Sequence, residues 1–132
     1  NLGSVHALVV CSDDGLDEIS IAAETKVSEL QEGGISDYVI KPEAYGIARQ
    51  SLDPLRVTDA QGSLNQITGA LSGQEGPAAD MVALNAGATI YAGDLTSTLA
   101  DGVDRARTVL ASGAALTKLE ELAAFTRQFI SD

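Results

Sequence analysis

The sequence predicts an α/β chain of a few strands followed by about four helices, an order that taken alone reads as α+β. Three observations carry this. Up to Gly46 the apolar residues fall in short continuous or alternating runs divided by glycine-containing turns. From Asp59 onward they recur at helical spacing. Composition supplies the third: of 132 residues, 45% are hydrophobic but only 4% aromatic, with no tryptophan. Such a core must be built from closely packed small aliphatic side chains, as in layered α/β proteins.

The first segment, residues 6–11, is a nearly continuous apolar run ending in an acidic turn. A run without polar alternation reads as a buried strand of the parallel kind. Ile19, Ser20 and Ile21 resume alternation and read as the start of another strand, and residues 26–30 continue in extended form. Gly33 and Gly34 mark a turn, and residues 35–40 alternate again, completing a hairpin. Residues 42–46 close the strand-rich half, and a polar stretch through Asp53 and Pro54 leads to the helices.

Ala60, Leu64, Ile67 and Leu71 share one helical face, with Thr58 or Asp59 as N-cap and Gly73 as the stop. Met81, Val82, Leu84, Ala88, Ile90 and Tyr91 spread over nearly the whole circumference of the next helix, which is how a buried helix reads. On it, Asn85 reads as a satisfied core amide and Gly87 as a point of close helix packing. Leu99, Val103, Ala106 and Leu110 form a narrower stripe ending at Gly113, with the charges between Asp101 and Arg107 as a solvated face. Leu116, Leu119, Leu122, Ala123, Phe129 and Ile130 line a last helix. The three tyrosines, Tyr38, Tyr45 and Tyr91, read as packing residues with polar tips. One strand pair with four helices would leave a sheet edge and face uncovered, so further strands are expected from chain outside this sequence. The abrupt start at Asn1, without Met, suggests a piece of a longer protein, although a processed or tagged chain would start similarly.

Eight basic residues face nineteen acidic ones, a formal charge of −11. That field repels phosphate backbones and anionic membranes, and the chain lacks aromatic platforms on which bases could stack, so no nucleic-acid partner is expected. No apolar run reaches membrane-spanning length and no signal peptide opens the chain, so the expected location is cytoplasmic, with no membrane partner. The lone cysteine, Cys11, permits no internal disulfide and fits a reducing compartment. An anionic small substrate would need a metal ion or a cluster of backbone N–H groups.

The strongest local signal is the acidic turn after the first strand: Asp13, Asp14, Gly15, Leu16, Asp17 and Glu18. Ligands of open α/β sheets sit beyond the carboxyl ends of the strands, where this turn lies. A hard cation such as Mg²⁺ needs only one or two carboxylates because it keeps several waters. The same residues also suit a solvated acidic cap, and spacing alone leaves both readings open. The regular ligand ladder of an EF-hand is absent.

The run from Val9 to Ser20 resembles the VVHG-x-DGLDEIS signature of anthranilate phosphoribosyltransferases. Further matches follow in order: residues 25–30 are similar to the family's TKVAEL stretch, residues 42–46 to PEDFG, residues 84–88 to LNA-x-A, and residues 112–119 to SGKALEKL. The resemblance covers essentially the whole chain. It implies residues 1–132 as the C-terminal portion of a large α/β domain, from a homodimeric enzyme that also has a small helical domain. It implies transfer of phosphoribosyl from phosphoribosyl pyrophosphate to anthranilate, with Mg²⁺ and release of pyrophosphate, in tryptophan biosynthesis. Carried over, the carboxylates that hold Mg²⁺ at the pyrophosphate are Asp17 and Glu18. The family's GTGGD, NxSTxxA and KHGN segments, which wrap the phosphates and help bind anthranilate, do not occur here. The chain alone is therefore expected to be inactive, and apolar surface left open by the missing strands is expected to make it self-associate.

Two positions depart from the signature: Cys11 stands for His and Ser12 for Gly. A nucleophilic Cys11 would need a base, yet the only histidine, His6, lies an odd number of residues away and points to the other face of the strand. Cys11 therefore reads as a small buried hydrophobe, and His6 as a partly exposed structural residue. The alternatives are a nucleoside phosphorylase-like relative, which the DGLDEIS run opposes, a nucleic-acid-binding relative, which the charge opposes, and a helical interaction module with an acidic cap.

Overall fold

A computed structural model describes residues 3–129. Strands β1 (His6–Ser12), β2 (Thr25–Gln31) and β3 (Gly34–Ile40) form an antiparallel sheet in the order β1-β2-β3. Helices α1 (Ala60–Leu71), α2 (Pro77–Ala92), α3 (Leu99–Ala111) and α4 (Ala114–Arg127) follow. Strands then four helices is the expected order.

Several local expectations need correction. Among the described residues β1 pairs only with β2, and antiparallel, with Val10 opposite Val27. Its apolar run is not buried on both sides either: Leu8 and Val10 pack inward, whereas Val9 is 70% exposed on the other face. An apolar run states that both faces are suited to burial, not that both are covered. The hairpin turn lies one residue earlier than read, at Glu32 and Gly33, both with positive φ (51° and 79°). This is the geometry whose twist matches the flanking strands in a two-residue connection. Ile19, Ser20 and Ile21 are not a strand; they are irregular chain, and all three residues are buried. Pro42–Tyr45 forms a short 3₁₀ helix that ends the sheet half.

The inner sheet face contributes Val27 and Ile40 to a core completed by Ile19, Ile21, Ile47, Leu84, Leu99 and Val103. Helix α2 stands between two apolar clusters. Met81, Leu84, Ala88 and Tyr91 turn to the sheet side, while Val82, Ala83, Ala86 and Ile90 meet Ala106 and Leu110. Its all-round apolarity has this cause. α2 and α3 approach through paired glycines: a Cβ on Gly87 would lie 2.6 Å from the Val103 Cα, and one on Gly102 would lie 2.3 Å from the Gly87 carbonyl oxygen. Any larger residue would drive the helices apart. Gly87 thus acts as the sequence implied.

Asp59 caps α1, its carboxylate accepting from the Gly62 N–H at 2.7 Å, and Gly73 follows the helix end at φ 80°. The apolar stripe of α1 is not core. Leu64 is 50% exposed, Ile67 is also exposed, and Ala70 is the buried residue of that helix. The last helix repeats this: none of its residues is buried, Leu122 and Phe125 are exposed, and Phe129, read as part of that face, lies exposed beyond the helix end. Ile130, read as part of that face, lies outside the described residues. Among the described residues no helix is long and apolar enough to cross a membrane.

Candidate functional site

β1 ends at Ser12 and the chain turns sharply, with Ser12 N–H bonded to Leu16 carbonyl and Gly15 N–H to Ser12 carbonyl. Its four acidic side chains divide into two pairs. Asp13 is bound to Lys26 at 3.0 Å. Asp14 accepts from the Ser20 hydroxyl at 2.6 Å and from the Leu16 N–H at 3.3 Å. Burial pushes the Asp14 carboxyl upward, but the bonds from Ser20, Ser12 and Leu16 outweigh it and hold it below the usual carboxylate range. Asp17 and Glu18 are both exposed, and neither enters an ion pair or a side-chain hydrogen bond among the described residues. The first pair secures the loop and the second is left for solvent or a ligand.

The chain leaving this pair is held as firmly as the chain entering it. Ile19 has no strand partner, and the Asn85 amide of α2 takes that place. Asn85 Oδ1 accepts from the Ile19 N–H at 2.9 Å, while Nδ2 donates to the Ile19 carbonyl at 2.9 Å and to the Met81 carbonyl at 3.0 Å. The amide is satisfied as expected, but it is half-buried and not part of the core. Beside it opens a cleft of about 390 Å³, lined by Leu8, Val10, Glu18, Asn85 and Thr89.

The donor set fits Mg²⁺ in a limited way. Two adjacent free carboxylates at a strand's carboxyl end suit a hard cation that takes its remaining oxygens from water and a phosphate-bearing ligand. They do not make a protein cage, and among the described residues no group of three or more His, Cys, Asp or Glu side chains could hold a metal.

His6 departs from its reading in part: it is structural, as expected, and half-buried as a residue, but its side chain is enclosed. Its side chain is 2% exposed, with Nδ1 on Asp94 at 2.7 Å and Nε2 on Glu29 at 2.8 Å. Tyr91 meets the ring edge-on at 4.8 Å. The Asp94 bond raises the pKa of His6 above its ordinary value against the effect of burial, and Glu29 adds to the rise. Burial presses the Glu29 carboxyl upward, yet bonds from Tyr91, His6 and Tyr38 hold it lowered. Sequence reading missed this clip because Glu29 and Asp94 lie 23 and 88 residues from His6. A glutamate on the inward phase of β2, alternating with Thr25 and Val27, was the one available signal. Cys11 departs too: it is exposed on the outer face, opposite His6 as expected but not a buried hydrophobe.

Residues 1–116 match the family model described as "Glycosyl transferase family, a/b domain". Anthranilate phosphoribosyltransferase of Methylococcus capsulatus is 53% identical over 128 residues, which are 97% of this chain and 38% of that protein. Its counterpart from Chromohalobacter salexigens is 56% identical over 126 residues, 96% of this chain and 36% of that one. The chain thus spans well under half the length of these curated relatives. The crystal structure of anthranilate phosphoribosyltransferase from Thermus thermophilus superposes with a TM-score of 0.82 at 40% identity, covering 92% of this chain and 36% of that one. A Saccharomyces cerevisiae enzyme of that name, in complex with PRPP and Mg, is 21% identical with a TM-score of 0.74, a likeness of fold covering 87% of this chain and 33% of that one. The chain belongs to the glycosyl transferase family by its a/b domain.

Proposed function

We propose that this family member forms the metal-holding wall of an anthranilate phosphoribosyltransferase, with Asp17 and Glu18 as the Mg²⁺ carboxylates. The observation that carries the reading is the division of the acidic loop: Asp13 and Asp14 are occupied by Lys26 and Ser20, and the next two acids are free. The similarity to relatives bearing that enzyme's name supports the substrate class, phosphoribosyl pyrophosphate and anthranilate. In this reading Mg²⁺ supplies charge neutralisation at the departing pyrophosphate. The chain's own residues position it: Asp14 secures the entry to the loop, Asn85 its exit, and Glu18 faces the cleft beside α2. A cation is what lets this acidic loop meet a polyanionic donor.

The reading assigns catalysis to the longer, homodimeric enzyme and not to this chain alone, because the segments that wrap the phosphates are outside its sequence. It also includes a cytoplasmic location, in keeping with the exposed lone thiol of Cys11. The open apolar faces of α1 and α4 support self-association, which light scattering at high concentration reads; a strictly monomeric chain would count against it.

Calorimetry of phosphoribosyl pyrophosphate binding with and without Mg²⁺ tests the site. Weak, Mg²⁺-dependent binding that disappears in Asp17→Ala plus Glu18→Ala is expected. Binding that survives the double substitution would sink the assignment.

A further inference from the structure

We propose that Asn85 is a positioning residue for the Asp17 and Glu18 carboxylates, acting from α2 through the backbone of Ile19. The inference rests on the metal-holding reading above. The Ile19 N–H shares a rigid peptide plane with the Glu18 carbonyl, so fixing that N–H fixes the plane that leaves the Glu18 Cα. Asn85 Oδ1 accepts from this N–H at 2.9 Å, and Nδ2 donates to the Ile19 carbonyl at the same distance. Both polar groups of Ile19 are thereby held by one planar amide, as a neighbouring strand would hold them. The amide is itself oriented by its bond to the Met81 carbonyl, one turn earlier on α2. With the Ile19 side chain 1% exposed in the core, the segment after Glu18 has little freedom to rotate. The loop before Asp17 is tied separately, by the Asp14 bonds to Leu16 and Ser20. Asn85 thus does for a carboxylate pair what supporting hydrogen-bond partners do for metal ligands: it limits the directions in which they can point.

The 132-residue chain is titrated with Mg²⁺ while the amide resonances of Asp17 and Glu18 are followed, with Mn²⁺ broadening as a second probe. Asn85→Ala and Asn85→Ser are expected to weaken apparent Mg²⁺ affinity about tenfold, the lower end for loss of a ligand-orienting partner. Leu110→Ala, a truncation in the second apolar cluster, which does not include Ile19, controls for lost stability and is expected to leave the affinity unchanged. Asn85 variants that bind Mg²⁺ like wild type would overturn the proposal. So would a series in which affinity falls only in step with unfolding, as for Leu110→Ala, since that assigns the amide to the fold alone. A Mg²⁺ response that is absent in wild type, or survives Asp17→Ala plus Glu18→Ala, sinks the metal-holding reading and this proposal with it.

Discussion

The α2–α3 seam and the α1–α4 flank both contain helices with legible apolar stripes, α3 in the seam and α1 and α4 on the flank, but they meet different fates. Along the seam Leu99, Val103, Ala106 and Leu110 are buried, and Gly87 and Gly102 bring the backbones into direct contact. On the flank Leu64, Ile67, Leu122 and Phe125 remain exposed, as do Val9, Ile35 and Val39 on the outer sheet face. Amphipathic periodicity sets which face of a helix seeks cover; what covers it is a matter of the rest of the structure. The difference separates contacts that hold this chain together from apolar surface that it leaves available.

The largest break in that contrast is expected from Gly102→Ala. Its Cβ has no room against the Gly87 carbonyl, and a loss of about 3 kcal/mol or more is expected, at or above the upper end for overpacking. Urea denaturation measures it, and a loss under about 1 kcal/mol would mean that the seam is soft. Leu84→Ala comes next. That side chain is fully buried, and its truncation should cost about 2–5 kcal/mol.

Third is a pH effect at the clip between sheet and α2. His6 has a raised folded pKa, so its contribution is complete below the ordinary value of 6.5 and is lost as pH rises through the folded value. Glu29 and Asp14 have lowered values, so theirs are present above the ordinary 4.5 and 3.8 and are lost as pH falls through the folded ones. Stability should therefore be highest between those limits and decline above pH 6.5. Thermal melting across pH checks this: His6→Gln should remove the decline on the alkaline side, and an unchanged slope would acquit the histidine. The smallest effect belongs to the flank. Phe125→Ala, at 56% exposure, should change stability by no more than about 0.5 kcal/mol while reducing any self-association. A core-sized loss there would erase the distinction between flank and seam.

Part of the candidate site was legible in the sequence. The run after β1 marked an acidic loop, within which the family resemblance pointed to Asp17 and Glu18, and the satisfied amide of Asn85 was read correctly because a polar side chain on an apolar helix must find partners. That its partner is Ile19 could not be read, since 66 residues separate them. Ile19, Ser20 and Ile21 illustrate the opposite failure. Their alternation looks like a strand, yet they are irregular chain whose backbone bonds go to the Asn85 side chain at Ile19, to the Thr25 hydroxyl at Ser20 and to the Gln50 N–H at Ile21. Periodicity reports where side chains go; it does not report which group receives a backbone hydrogen bond.

Taken by itself, the sequence determined the order of strands followed by four helices, a cap at Thr58 or Asp59, the glycine at the close helix approach and the acidic loop. Each depends on a short span of chain, where spacing and residue chemistry act directly. The tertiary structure decided that Asp13 and Asp14 are occupied while Asp17 and Glu18 have no side-chain partner among the described residues. It also decided that His6 is enclosed by two carboxylates and that one set of apolar stripes is covered while the other is open. Those outcomes depend on groups far apart in the chain, and burial and partnership exist only once the fold has brought them together.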